Sequence, residues 1–354
     1  MPRPLAANRF FNCLTPTREP LEWDPREPPA PGSWPNAGYF GRAFARMEES
    51  LRRDGLTFYL TFDVERLPSE GPDVVAVVID NEAARIPAYA GRIGATYLNL
   101  GARPQLGCSP FTEPSLLNAL TLGVFARNAV QWLPSGARYG AARLRGSLGG
   151  RRTGAVREVP VGTFNQLDLP VKPLAERPTT IVFAGSVTHQ AKGLRGLKTK
   201  VAPKGLSRSA MIAHAERVAR RHPEVVADVG VTGAFWESVH SDEEAYSRRM
   251  MDAKVSLVPR GTVPVTARFL ESLRYGCIVV ADHVPPLWPY AQAPMIRLRD
   301  WSELEGVLLA LLADEARMQA LHEQTLAWWH RACSEAVVGD YLAATLNALP
   351  WPRA

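Results

Sequence analysis

The stretch Tyr246–Asp282, YSRRMMDAKVSLVPRGTVPVTARFLESLRYGCIVVAD, alternates short apolar runs with polar turns in the order strand, helix, strand. Lys254–Val258 is rich in β-branched residues and is closed by Pro259 and Gly261, the pattern of a buried parallel strand. A turn through Pro259, Arg260, Gly261 and Thr262 leads to a helix from Thr266. Phe269, Leu270 and Leu273 share one face of that helix, and Tyr275-Gly276 supplies its C-terminal stop. Cys277–Ala281 is the next strand.

In a parallel sheet, ligands sit beyond the carboxyl ends of the strands, where a helix start offers unpaired N–H groups and a positive dipole end to an anion. Gly261, Thr262, Thr266 and Arg268 fall at that end. Arg268 and Glu271 are three residues apart and share a helix face. A guanidinium there can fork onto a diphosphate, and a carboxylate one turn deeper can accept from ribose hydroxyls. An ordinary surface ion pair is the other use of the same spacing.

Tyr246, Ser256–Gly261 (SLVPRG), Thr266–Leu273 (TARFLESL) and Gly276–Val280 (GCIVV) together resemble the donor-binding half of exostosin-type glycosyltransferases, members of the two-domain class called GT-B. The resemblance covers roughly residues 175–315. It implies two Rossmann-like α/β domains facing a cleft, with a C-terminal helix crossing back to the first domain. It also implies that Arg268 contacts the diphosphate and Glu271 the ribose of a nucleoside diphosphate sugar, a UDP-sugar as first guess, with inversion at the sugar. The acceptor would be a glycan, a lipid-linked molecule or a small natural product.

Outward from this unit, 354 residues fit two domains of ordinary size. The expected division is an irregular proline-rich arm over 1–36, an acceptor-side α/β domain over 37–165 and a linker over 166–178. A donor domain over 179–325 and bracing helices over 326–354 follow. In the first domain a helix from Gly38 precedes strands at Thr57–Phe62, Asp73–Ile79 and Ala95–Leu100. The pattern then predicts a helix over Ser115–Phe125, a strand over Ala129–Leu133 and a Gly/Arg-rich loop over Arg138–Arg157. Asp80 and Glu82 follow directly on DVVAVVI, at a strand's carboxyl end. That position makes Asp80 the leading candidate for a general base and Glu82 the next, with Asp63 and Glu113 behind them; a helix cap is the alternative use of Asp80.

The second domain opens with TTIVFA and then Gly185-Ser186, where a glycine lets backbone approach a phosphate closely. No G-x-G-x-x-G fingerprint follows, so a dinucleotide is not indicated. His189, Lys192 and Arg195 lie in the next loop. In look-alike enzymes a basic residue of this region reaches the donor phosphates, which is the role assigned to Arg195, against that of a solvated charge. There is no D-x-D motif to hold a metal. Neutralising a departing phosphate therefore falls to Arg268, Arg260, Arg195 and the helix start at Thr266. No cofactor is expected beside the nucleotide sugar, and His283 reads as a turn residue.

Net charge is +6, and residues 189–222 carry nine Lys or Arg against Glu216 alone. No aromatic residue is interleaved there, which argues against nucleic acid. A nucleoside diphosphate, an anionic membrane surface or a solvated face each account for the charge. The N-terminus lacks an apolar targeting core, and four scattered cysteines suit a reducing compartment. The expected location is cytoplasmic, at most peripheral at the inner face of a membrane. Two other functions share these features: a non-catalytic nucleotide- or sugar-binding module, and a basic polyanion-binding protein.

Overall fold

A computed structural model describes residues 7–149, 153–164, 167–187, 202–232 and 243–351. The chain divides into two compact units. The first comprises Met1–Gln105, Phe125–Gly162 and Cys333–Ala354, and the second Leu106–Val124 and Thr163–Ala332.

The first unit holds a six-stranded sheet of β1 (Arg9–Asn12), β2 (Leu21–Glu22), β3 (Thr57–Thr61), β4 (Val74–Val78), β5 (Ala95–Leu98) and β6 (Ala155–Glu158), ordered β2-β1-β3-β4-β5-β6. All neighbours are parallel except the β1–β2 edge. Helix α1 (Asn36–Glu48) packs on it through Phe44, whose ring meets Phe10 and Phe58. Helix α2 (Leu116–Leu148) begins within the second unit's residues and continues into those of the first.

The second unit is a five-stranded, fully parallel sheet of β7 (Thr179–Ser186), β8 (Ala227–Thr232), β9 (Ala253–Val258), β10 (Ile278–Ala281) and β11 (Ile296–Arg297), ordered β11-β10-β9-β7-β8. Around it lie α3 (Pro203–Arg221), α4 (Glu243–Met251), α5 (Ala267–Arg274), α6 (Leu304–Leu312) and α7 (Glu315–Trp328). Alternation along β7 feeds both faces. Ile181 and Phe183 join Met211, Ala215 and Val218 of α3 in one core, while Val182 joins Met250, Met251 and Cys277 in the other. Covering both faces is why these strands read as unbroken apolar runs. The left-handed Gly276 (φ 68°) closes α5, with its N–H on Leu273 O at 3.1 Å, the stop that Tyr275-Gly276 predicts. The last helix, α8 (Glu335–Asn347), belongs to the first unit and packs on α1. Gly339 there allows a close crossing, since a Cβ would stand 2.5 Å from Ala43 O.

The α/β class with two parallel sheets is the class the sequence predicts. Local details differ. Residues 9–12 and 21–22 of the proline-rich arm are strands of the first sheet, because Arg9–Asn12 aligns with Thr57–Leu60 between the proline positions. Ala129–Leu133 is helical, and Arg138–Leu148 continues α2 before β6. The glycines and Pro134 that suggest a break are outweighed by anchors along the helix. Asn128 Nδ2 donates to Glu82 O (3.2 Å), Trp132 Nε1 to Ala102 O (3.0 Å), and Tyr139 OH to Gly154 O (2.7 Å). The division between the units falls at Gly162–Thr163 rather than over 166–178, and Leu106–Val124 is counted with the second.

Candidate anion site of the second unit

Strand order locates the site before any side chain is considered. From β7 the chain goes to β8 on one side and returns to β9 on the other, so the β7 and β9 carboxyl ends form a topological switch point. Gly185 and Ser186 end β7, and the segment Pro259–Thr266 leads from β9 into α5.

Arg268, in the first turn of α5, crosses to β7. Its guanidinium lies 4.5 Å from the centre of the Phe183 ring, and its Nη2 donates to Ala184 O. Gly185 makes this possible: its φ is +154°, and a Cβ would stand 2.2 Å from Arg268 Nη2. Thr266 is the extended N-cap residue (φ −137°, ψ 141°), yet its side chain makes no capping bond.

A second arginine joins it. Arg208 of α3 is 7% exposed and donates through Nη1 to Ser186 O. Burial, and secondly the positive charge of Arg268, push its guanidinium down to about 9. Neither arginine has a carboxylate in ion-pair range among the described residues, where the two Nε atoms and Thr266 Oγ1 are also buried without partners. Two guanidiniums that, among the described residues, bond only to backbone carbonyls at one strand end beside a helix start are a candidate anion site. The sequence reading missed Arg208 by leaving it in a basic run. The signal was its place on the stripe with Met211, Ala215 and Val218, the buried face of α3.

Glu271 is 4% exposed. Its Oε1 accepts from Phe164 N (3.0 Å) and its Oε2 from Tyr246 OH (2.7 Å). Burial and this carboxylate raise the Tyr246 phenol well above its ordinary value, so it remains a donor. Arg260, expected to reach the donor phosphates, has its donors engaged within the fold. Buried Asp282 takes its backbone N–H (2.9 Å) and Nε (2.9 Å), the Asp282 carbonyl takes Nη2 (3.2 Å), and Asn118 and Thr121 take Nη1. The turn that presents Arg260 also points it back at the end of β10, where a carboxylate follows the strand. Gly261 is half-buried and Thr262 exposed. His189, Lys192 and Arg195 lie outside the described residues. His283 is buried and held neutral by burial, then by Arg260 and Arg297, and neither ring nitrogen has a partner among the described residues.

In the first unit, Asp80 follows β4 in a left-handed conformation (φ 56°) and caps no helix; its N–H donates to Asn99 Oδ1 (3.1 Å). Its side chain keeps exposed area, yet surrounding protein, and secondly the Glu82 charge, push its carboxyl up to about 6. Glu82 is exposed. Among the described residues no cluster of three or more His, Cys, Asp or Glu is placed to hold a metal.

No family model and no curated protein matches the chain. Solved structures do. A GtfA/B complex is 12% identical with a TM-score of 0.42, covering 79% of this chain and 58% of the other. The pneumococcal O-GlcNAc transferase GtfA in complex with UDP and GlcNAc is 9% identical with a TM-score of 0.43, covering 79% and 57%. A complex of S. aureus TarM with fondaparinux, alpha-GlcNAc-glycerol and UDP is 10% identical with a TM-score of 0.41, covering 79% and 56%. The chain thus spans little more than half the length of these proteins, and at such scores the likeness carries no weight for activity.

Proposed function

We propose that the chain is a glycosyltransferase that holds a nucleoside diphosphate sugar on its second unit and transfers the sugar to an acceptor hydroxyl. The observation that carries this is the pair formed by buried Arg208 and half-buried Arg268, both held by carbonyls at the end of β7 at the switch point, with no carboxylate in ion-pair range among the described residues. The diphosphate would lie between the guanidiniums and the start of α5, which take up the departing charge without a metal. Glu271, which accepts from Tyr246 and Phe164, is the proposed partner of the ribose. The acceptor would be a glycan, a lipid-linked molecule or a small natural product, and inversion is the proposed outcome.

Purified protein in EDTA, melted with uridine, thymidine, guanosine, cytidine and adenosine diphosphates, is expected to gain several degrees with one of them, uridine diphosphate first. A ligand that binds only the folded state must raise its melting temperature. No rise with any of the five, with or without magnesium, overturns the proposal.

Asp80, with Glu82 behind it, is proposed as the base on the first unit. A base acts only when ionised, so turnover of the nucleotide sugar should rise about tenfold per pH unit below about 6 and level off above it. Asp80→Asn should remove both the activity and the profile while leaving donor affinity intact. The sign for stability is opposite. A carboxyl raised in the fold holds its proton longer than in the unfolded chain, so Asp80 lowers stability as pH climbs from its ordinary value, about 4, to about 6. A non-catalytic binding module would give the melting shift without the pH profile.

A further inference from the structure

Helix α2 is amphipathic in the wrong direction. Within the first unit its inward face carries Asn128, Trp132, Ser135, Tyr139 and Ala142, held by the bonds described above and by Ile86 N donating to Ser135 Oγ (3.0 Å). Its outward face carries Ala126, Val130, Leu133, Ala137, Ala141, Leu144 and Leu148, at intervals of three and four residues. At 3.6 residues per turn these fall within about 80° of arc. Val130 is 67% exposed, Leu133 56%, Leu144 63% and Leu148 81%. A continuous apolar stripe on an otherwise anchored helix marks an interaction surface.

The charges beside it select the occupant. Between Glu113 and Glu158 the sequence has no Asp or Glu, and the described part of α2 carries Arg127, Arg138, Arg143 and Arg145. Arg127, Arg138 and Arg145 follow one edge of the stripe and Arg143 the other. A cavity of about 280 Å³ opens along the first edge, lined by Ser135, Arg138, Tyr139 and Arg145 together with Arg92, which pairs with Glu70. A second copy of the chain would set arginine against arginine with no acid to answer it. No helix among the described residues is long and apolar enough to cross a membrane, so a helix of this kind would lie in the interface.

We propose that the outer face of α2 from Ala126 to Leu148 rests on an anionic lipid surface, its Leu and Val side chains in the acyl boundary and its arginines on lipid phosphates. The stems of Arg138 and Arg145 snorkel to phosphate level while the cavity between them accepts a headgroup. This attachment stands independently of the donor site.

The full chain is to be sedimented with vesicles of phosphatidylcholine, alone and mixed with phosphatidylglycerol. Binding is expected to the mixed vesicles only, weakened by salt. Leu133→Glu/Leu144→Glu should abolish it, and Arg138→Gln/Arg145→Gln should weaken it about thirtyfold. All substituted side chains are exposed, and unchanged circular dichroism and melting temperature of both variants confirm that the fold is kept. No binding to the mixed vesicles, equal binding to phosphatidylcholine alone, or binding that both variants retain overturns the proposal. So does a dimer, seen by light scattering, that Leu133→Glu/Leu144→Glu dissolves in a protein that ignores vesicles; that result gives the stripe to a second copy.

Discussion

Arg208→Met should cost about a hundredfold or more in affinity for a nucleoside diphosphate while the melting temperature of the free protein stays level or rises. The two effects share one cause. In the free protein Arg208 holds a charge in a buried place, repelled by Arg268 and bonded to Ser186 O without a carboxylate. Its guanidinium is pushed down to about 9 because the fold disfavours that charge. A diphosphate placed between the arginines turns mutual repulsion into two attractions, so the cost of keeping them there is recovered only on binding. Methionine fills much of the volume, relieves the buried charge and loses one bond to a carbonyl. Truncating one partner of a buried charged contact typically costs 2–5 kcal/mol of binding, about thirtyfold to several thousandfold. Calorimetric titration of wild type, Arg208→Met and Arg268→Met with the nucleotide chosen by the melting screen measures both halves. Unchanged affinity in both variants would sink the assignment, and a large fall in melting temperature would show that the arginines serve the fold.

How far the sequence foretold this site depends on the distance between partners. The β7, β9 and β10 strands were legible because TTIVFA, KVSLV and CIVVA are apolar runs with turn residues at their ends, and a sheet covered on both faces admits nothing else. Arg268 was legible because the turn into its helix is local. Arg208 was hidden by company: its run includes the exposed Arg217, Arg220 and Arg221, and only the phase of α3 separates a buried arginine from a solvated one. Helix α2 was misread where glycines punctuate it, since anchors such as Trp132 on Ala102 are tertiary and outweigh local propensity.

Arg260 was the least legible, because its partners lie far away in sequence, and its role leads to the largest expected loss of stability. Asp282→Ala should destabilise the second unit by about 3–5 kcal/mol, a fall in melting temperature of roughly 6–20 °C. Both members of the Arg260–Asp282 pair are about 2% exposed, and Asp282 also accepts from Ser207 Oγ at 2.7 Å. Removing the carboxylate leaves a guanidinium buried with only neutral partners, including Asn118 (3.2 Å) and Thr121 (2.9 Å) of the segment Leu106–Val124. That segment is also tied by Glu113 to Arg297 at 2.7 Å, so its loosening should appear as new proteolytic cleavage before α2. Arg260→Met/Asp282→Leu removes both charges together and should recover most of the loss, since replacing a buried pair by apolar groups is often close to neutral. The double variant also separates the phosphate role that the sequence suggests for Arg260 from the buried pairing that the structure shows. If it melts near wild type and still binds nucleotide, Arg260 is a strut of the fold and the phosphates belong to Arg208 and Arg268. If it folds but loses nucleotide affinity as Arg208→Met does, Arg260 reaches the ligand after all, and the buried network in which it sits rearranges on binding.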